Sequence, residues 1–271
     1  GLTSTTTLKR KVYINYKDLG AIVEYPYSNT VSISVYPNFD AGAISIEGSN
    51  PICYNTNSPV LRANPTGGSG VYTYQWMVFS TGGIWTNISG ATNRDYTATN
   101  LTSDKKYTVK VSNACGVMDA REEIILVYAD VTAGTISGTQ TICYNTAPAA
   151  FTATAPTGGS GSYSYVWERS TNGTTWTAIA GATSATYTSP ALTQTTHFRR
   201  KVVNSCKTVT SNTVTVTVYA DVTAGTISAN QTICYNTAPA AFTATAPTGG
   251  DGNYSYVWER STNGTTWTAI A

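Results

Sequence analysis

The chain has 271 residues, of which 11% are charged and 41% are hydrophobic, and its formal net charge is +2. This composition is typical of a globular β protein rather than a disordered chain. Because no basic patch is interleaved with aromatic residues, nucleic acid is not an implied partner. No apolar run approaches the roughly 20 residues needed to span a bilayer, so we expect no membrane insertion in this segment.

The sequence repeats along its whole length. Trp76, Trp167 and Trp258 follow one another at intervals of 91 residues. A fixed period of this size indicates a tandem array of one structural unit. In chain order, we expect the C-terminal part of a repeat at 1–37, complete repeats at 38–129 and 130–220, and the N-terminal part of a repeat at 221–271.

The partial repeats at the two ends match the complete ones closely. Residues 2–12, LTSTTTLKRKV, align with residues 192–202, LTQTTHFRRKV. A half repeat cannot bury its own hydrophobic face. We therefore expect the chain to be a window from a longer array. The alternative is that the two halves complete each other between neighbouring molecules, as in polymers that donate strands.

Within a repeat, apolar and polar residues alternate with period two, and turn residues separate the runs. In the second complete repeat these runs lie at 151–155, 163–169, 175–179, 185–187, 197–204 and 213–218. No stretch has a helical period. About seven short strands with a Trp in the third predict an all-β fold of tandem immunoglobulin-like sandwiches. Trp76, Trp167 and Trp258 are predicted to lie in the cores.

The alternation also assigns faces to charged residues. Glu168 is predicted to point away from the core, toward Arg199 and Lys201 on a neighbouring strand. Arg200 falls in the inward register of that strand, where we place it against the edge of Trp167.

The five cysteines are Cys53, Cys115, Cys143, Cys206 and Cys234. Pairing within repeats predicts disulfides from Cys53 to Cys115 and from Cys143 to Cys206, with the partner of Cys234 outside the chain. Each bridge would close one folding unit and stabilise it by roughly 4 kcal/mol in the chain-entropy model. Pairing of Cys115 with Cys143 and Cys206 with Cys234, or free buried thiols, are the alternatives. Disulfides indicate an oxidising, extracellular compartment.

No pattern predicts catalytic, cofactor-binding or metal-binding residues, so we predict neither enzyme activity nor a cofactor. The single histidine, His197, is matched by Lys106 and Thr7 in the other copies, which favours a surface role over that of a catalytic base. An alternative to the absence of a metal site is calcium bound between domains through Asp130 and Asp221, although these linkers supply few ligands.

Two functions of different classes fit these observations. The first is a structural spacer, favoured because residues 130–180 and 221–271 are nearly identical. The second is a binding module in which Tyr163, Tyr165 and the Gly-rich loop at 157–161 contact carbohydrate or a partner protein. Tyrosines exposed at the loop tips would favour binding, and tyrosines packed inward would favour the spacer.

The segments TICYN, TGGSGSYSYVW, STNGTTWTAI, GATSATY, LTQTT and RRKV resemble the Ig-like and PKD-like repeats of large Bacteroidetes cell-surface proteins. These include the SprB-type gliding adhesins exported by the type IX secretion system. The resemblance covers the whole chain and implies an extracellular stalk or filament segment that spaces a binding tip from the cell, in gliding motility or attachment. Implied partners are neighbouring repeats of the same chain, surface polysaccharide and other filament chains. The resemblance carries over no catalytic residue.

Overall fold

The computed structural model describes residues 1–16, 18 and 20–270, and all the regular structure in these residues is β. Consequently, no described segment forms a helix that could cross a bilayer. The chain divides into two compact units, Gly1–Asp130 and Val131–Ala271. Each unit contains one complete repeat and one partial repeat.

The N-terminal segment contributes two antiparallel strand pairs, one nested inside the other. Its strands are β1 (Thr6–Leu8), β2 (Val12–Tyr16), β3 (Ala21–Tyr25) and β4 (Val31–Ile33). β2 pairs with β3, and β1 pairs with β4.

The first complete repeat is built from two antiparallel sheets. Its strands are β5 (Ile44–Glu47), β6 (Val60–Ala63), β7 (Thr73–Phe79), β8 (Trp85–Asn87), β9 (Asp95–Tyr96), β10 (Lys105–Asn113), β11 (Gly116–Asp119) and β12 (Glu123–Ile125). One sheet has the order β5-β6-β9, and the other has the order β11-β10-β7-β8 with β12 also paired to β10. Trp76, Leu61, Val109 and Ile125 form the centre of the core between them.

The second complete repeat has the same plan. Its strands are β13 (Ile136–Ser137), β14 (Gln140–Ile142), β15 (Thr152–Ala153), β16 (Ser164–Ser170), β17 (Thr177–Ala178), β18 (Thr196–Val203), β19 (Thr208–Thr210) and β20 (Val214–Val218). β13 pairs with β15, and a bridge from Phe151 to Tyr187 widens that sheet. The facing sheet has the order β14-β20-β18-β16-β17, with β19 also paired to β18.

Five of the six runs predicted for this repeat overlap a strand, because alternating residues place one apolar face against the opposite sheet. The run at 185–187 forms no strand and contributes only the bridge from Tyr187 to Phe151. Two facing sheets of this order around a buried Trp are an immunoglobulin-like β-sandwich. The predicted fold class is confirmed.

A single tryptophan lies at the centre of each complete core. Trp167 is fully buried, and its ring centroid lies 5.9 Å from that of Phe151 and 5.6 Å from that of Tyr187. Its indole N–H donates to the Ser184 carbonyl at 3.0 Å. Trp76 is equally buried in the first repeat. The polar atom of the buried indole is thus satisfied, as burial requires.

The C-terminal segment repeats the early strands of the sandwich. Its strands are β21 (Ile227–Ser228), β22 (Thr243–Ala244), β23 (Glu259–Arg260) and β24 (Thr268–Ala269). Trp258, predicted to be a core residue, is instead 46% exposed. The reason is that residues 221–270 contain no counterparts of β18 and β20, the strands that cover Trp167.

Candidate functional site

The cysteines lie in specialised turns at the ends of each sandwich. After β14, the turn at 143–146 places Asn145 at a φ of 57°, a left-handed conformation that Asn tolerates. The Thr146 hydroxyl donates to the Cys143 carbonyl at 2.7 Å, and the Asn145 N–H donates to the Leu192 carbonyl at 2.8 Å. Because Leu192 lies four residues before β18, this turn sits beside the starting end of that strand.

The second cysteine of the repeat lies beyond the other end of β18. The Cys206 N–H donates to the side-chain oxygen of Asn204 at 3.0 Å. The buried Asn204 amide in turn donates to the Ser162 carbonyl at 2.7 Å and to the Ser160 hydroxyl at 3.0 Å. A Cβ at Gly159 would collide with this amide, so the Gly-rich loop depends on glycine here.

The two cysteines of one repeat are therefore at opposite ends of the sandwich. β18 has eight residues, and an extended strand of that length spans about 27 Å. In the first repeat, the nine-residue β10 separates Cys115 from the turn of Cys53, whose neighbour Asn55 donates to Leu101. A disulfide requires Cα atoms within about 7 Å of each other. A bridge within either repeat is geometrically excluded.

The cysteine states in the structure agree with this geometry. Cys115, Cys143 and Cys234 are free and exposed, whereas Cys53 and Cys206 are disulfide-bonded. The predicted bridges from Cys53 to Cys115 and from Cys143 to Cys206 are absent, which corrects the sequence-based pairing. The alternative pairing of Cys115 with Cys143 and Cys206 with Cys234 is absent as well.

A tyrosine fastens the Gly-rich loop in every copy. The Tyr163 hydroxyl donates to the Gly158 carbonyl, Tyr72 makes the same bond to Gly67 at 2.7 Å, and Tyr254 bonds to Gly249. Tyr163 is half-buried. The Gly-rich loop is thus held by this bond to Gly158 and by the bonds from Asn204 to Ser160 and Ser162.

Arg200 joins the two sheets of the second repeat. It is 1% exposed, and its guanidinium donates to the carbonyls of Ala185, Ala133 and Thr154 at 2.7, 2.8 and 2.9 Å. Burial lowers the pKa of Arg200. The inward direction was predicted. The expected stacking on Trp167 is replaced by stacking 5.0 Å over the Tyr165 ring, because the long side chain reaches past the indole to the carbonyls.

In the first repeat, an arginine at a different position, just before β9, makes a comparable contact. Val109 occupies the position of Arg200, opposite Trp76 as Arg200 is opposite Trp167. Arg94 occupies the position of Ala185, and its Nε donates to the Ala63 carbonyl at 2.9 Å. Ala63 is the counterpart of Thr154. An arginine thus reaches this carbonyl in both repeats.

A buried carboxylate pairs with two cations on the outer face of the β16–β18 sheet. The Glu168 side chain is 7% exposed, and its oxygens accept from Arg199 Nε at 2.7 Å and Lys201 Nζ at 2.6 Å. Burial opposes ionisation, but the hydrogen bonds from Lys201 and Arg199 outweigh it and lower the pKa of Glu168. The predicted orientation of these three residues is confirmed.

Candidate residues for chemistry do not converge on one site. Within the described part of the chain, no group of three or more His, Cys, Asp or Glu residues is placed to hold a metal ion. His197 is half-buried on β18, with Nδ1 2.9 Å from the Thr215 hydroxyl.

One protein family matches three successive segments of the chain, at about the period of the fold. The family described as Domain of unknown function (DUF8696) matches residues 42–128, 132–220 and 223–271. The chain belongs to this family. A comparison with curated proteins found no match.

The DUF8696 chain is similar in fold to several solved structures. Domains A168–A170 of titin are 13% identical, with 79% of this chain and 94% of that chain covered and a TM-score of 0.39. The N-terminal four Ig domains of Dscam1 isoform 6.9 are 14% identical, with 77% and 53% covered and a TM-score of 0.31. A structure concerned with Dscam isoform specificity is 15% identical, with 65% and 46% covered and a TM-score of 0.30. The chain spans about half the length of these Dscam structures.

The two arginine positions predict a compensating pair of substitutions. Arg200→Val leaves three carbonyls of the second repeat without their donor and should destabilise that repeat by about 3 kcal/mol. Adding Ala185→Arg recreates the arrangement of the first repeat and should restore a large part of the loss. The measurement is the urea midpoint of the second repeat in the whole chain, followed by hydrogen exchange of β16 and β18 peptides. If the double variant is no more stable than Arg200→Val, the two positions are not equivalent.

Glu168→Gln should destabilise the second repeat by about 1 to 2 kcal/mol at pH 7, because Arg199 and Lys201 lose their shared counterion but remain partly solvated. The pKa of Glu168 is lower in the folded state than its ordinary value of 4.5. The ionised Glu168 side chain therefore makes its full contribution to the free energy of unfolding above pH 4.5, and this contribution is lost as the pH falls through the pKa of the folded state. The difference in urea midpoint from the wild type should therefore shrink on acidification. Glu122→Gln, which removes an exposed partner of Lys106, is the control and should change little. A difference for Glu168→Gln that is independent of pH would contradict this assignment.

Proposed function

We propose that the repeats are spacers that resist tension in an extracellular stalk or filament of a large cell-surface adhesin. The observation that carries the proposal is the parallel pairing between an early strand and the last strand of the sandwich. In the second repeat, β14 and β20 pair in parallel with the register Gln140↔Val216, Thr141↔Thr217 and Ile142↔Val218.

This pairing lies directly in the path of a pulling force. The chain enters the repeat near Thr132, which is bridged to Thr157 at the Cys206 end. It leaves after Tyr219, whose N–H donates to the Ile142 carbonyl at 3.0 Å at the Cys143 end. Tension applied to opposite ends slides β14 along β20, and because the ladder bonds lie across the strands they must break together. Resistance of this kind suits a spacer under load.

The competing binding role is disfavoured by the position of its candidate residues. The Tyr163 hydroxyl fastens its own loop, and the Tyr165 ring lies under the Arg200 guanidinium. Both side chains are half-buried. Rings used for contacts within the repeat offer little free aromatic surface to a carbohydrate or a partner protein.

An oxidising compartment is supported by the disulfide-bonded state of Cys53 and Cys206. Placement on a Bacteroidetes gliding adhesin, with export by type IX secretion, is the finer part of the proposal and rests on the sequence resemblance alone. Neighbouring repeats, surface polysaccharide and other filament chains are the proposed partners.

Single-molecule force spectroscopy of the whole chain in reducing buffer tests the proposal. We expect two unfolding steps, each lengthening the chain by about 30 nm, since extended residues add at most about 3.5 Å each. The second repeat should yield at the higher force. In the first repeat the parallel pairing is a single bridge from Ile52 to Val127, preceded by Pro51, which has no N–H to donate.

Two proline variants separate the load path from general destabilisation. Thr141→Pro copies Pro51 into the second repeat and should lower the force of its step toward that of the first repeat. Thr177→Pro, on the opposite edge strand β17, is the matched control and should leave the force of that step nearly unchanged. Equal forces in the wild type with no effect of Thr141→Pro, or micromolar binding of a surface polysaccharide by the chain, would contradict the spacer role.

A further inference from the structure

The turn that joins β16 to β17 contains the pair Asn172–Gly173. The main chain favours glycine at the second position, because Gly173 has a φ of 74°. The same turn recurs in the C-terminal segment as Asn263–Gly264, with a φ of 71° at Gly264. In the first repeat the matching pair is Thr81–Gly82. Two of these three turns therefore place a side-chain amide directly before a glycine.

The side-chain amide of Asn172 lies in a site of converging hydrogen-bond donors. Its oxygen Oδ1 accepts from the Thr174 N–H at 2.9 Å and from the Thr175 N–H at 2.8 Å. The Ser170 hydroxyl donates to the same oxygen at 3.0 Å. Donors arranged in this way polarise a carbonyl and stabilise the negative charge that develops on its oxygen when a nucleophile attacks the carbon. The turn therefore supplies an oxyanion hole to its own amide.

The nucleophile nearest to this amide along the chain is the backbone nitrogen of Gly173. Its N–H donates to Ser170 Oγ at 2.9 Å, and the Ser170 hydroxyl donates in turn to Asn172 Oδ1. Ser170 thus connects the atom that must lose a proton to the atom that can gain one. Because Gly173 has no Cβ, its nitrogen can approach the amide carbon closely.

The fold holds this arrangement in place. Ser170 is 3% exposed and lies opposite His197 in the β16–β18 register. A Cβ at Gly173 would lie 3.8 Å from the His197 ring, so one side of the turn packs against β18. The amide nitrogen Asn172 Nδ2, which would leave in an acyl transfer, donates to the Thr175 hydroxyl at 3.4 Å. The hydroxyl of Ser170 is therefore a fixed part of the turn.

We propose that Asn172–Gly173 is a self-modifying site, at which the turn promotes its own deamidation through Ser170. As the Gly173 nitrogen bonds to Asn172 Cγ, its proton passes to Ser170 Oγ, and the proton of the Ser170 hydroxyl passes to Oδ1. The tetrahedral intermediate then breaks its Cγ–Nδ2 bond. Ammonia leaves with the proton of the new hydroxyl group, and a cyclic imide remains. Water opens this ring at either carbonyl and gives aspartate or isoaspartate at position 172.

The modification changes both the charge and the length of the turn. Either product places a carboxylate where the neutral amide was. Isoaspartate also inserts a methylene group into the main chain between β16 and β17. The first repeat escapes this chemistry, because Thr81 has no amide to lose. The reaction therefore marks some repeats of an array and not others.

The Asn263–Gly264 turn contains the same machinery. The Ser261 hydroxyl donates to Asn263 Oδ1 at 3.0 Å and accepts from the Gly264 N–H at 2.9 Å. The N–H groups of Thr265 and Thr266 also donate to Asn263 Oδ1, at 2.9 and 2.8 Å. The same reaction is therefore expected at this second pair, which provides a matched control within one molecule.

Peptide mapping of the whole folded chain after incubation at neutral pH tests the proposal, with aspartate and isoaspartate at positions 172 and 263 quantified by mass spectrometry. Ser170→Ala should slow deamidation at Asn172 by about tenfold. General acid–base catalysis typically contributes about a hundredfold or more, but a water molecule can replace part of the lost hydroxyl function. Asn263 in the same molecule should keep its wild-type rate. Ser261→Ala should give the reverse pattern.

A comparison with the unfolded wild-type chain does not depend on the variants. Unfolding in urea removes the hydrogen bonds of the turn, so Asn172 should deamidate faster in the folded chain than in the unfolded chain. A turn that only restrains the amide would give the opposite order, and that order would overturn the proposal. Deamidation of Ser170→Ala at the wild-type rate or faster, in a variant whose urea midpoint shows a folded second repeat, would also overturn it. Neither result depends on the mechanical role, which the force measurement tests separately.

Discussion

Closure of two sheets over one tryptophan is the interaction on which each repeat depends. In the second repeat, β18 and β20 bury Trp167 against Phe151, and Arg200 extends from β18 to three carbonyls in segments outside the strands. Where those strands have no counterpart, as around Trp258, the same local strand pairs form but the indole is left in solvent. The pairs β21–β22 and β23–β24 join strands close in sequence, whereas burial of the tryptophan in the second repeat also requires β18 and β20, which lie further along the chain.

The direction of β18 then determines what lies at each end of the sandwich. One end carries the turn of Cys143 and the exit of the chain at Tyr219. The other end carries Cys206, Asn204 and the Gly-rich loop. The parallel β14–β20 pair joins the entry side of the repeat to its exit. Each end of the sandwich therefore carries one cysteine and one point at which tension along the chain is applied.

Much of this architecture follows from periodicity in the sequence. Alternation at period two predicted the strands and the outward direction of Glu168, because a strand fixes the face of each residue. The cysteine pairing was not predictable in this way. The number of residues between two cysteines determines the entropy of closing the disulfide loop. It does not indicate at which end of a strand each cysteine lies. The carbonyl partners of Arg200 come from three separate segments outside the strands, so only the tertiary fold brings them together.

The two cysteines of one repeat lie too far apart to bond with each other. A non-reducing peptide map of the whole chain, with free thiols alkylated before digestion, tests this separation. The structure predicts alkylated Cys115, Cys143 and Cys234, with Cys53 and Cys206 recovered only after reduction. A linked peptide containing Cys53 with Cys115, or Cys143 with Cys206, would contradict this separation and require a different path for β10 or β18.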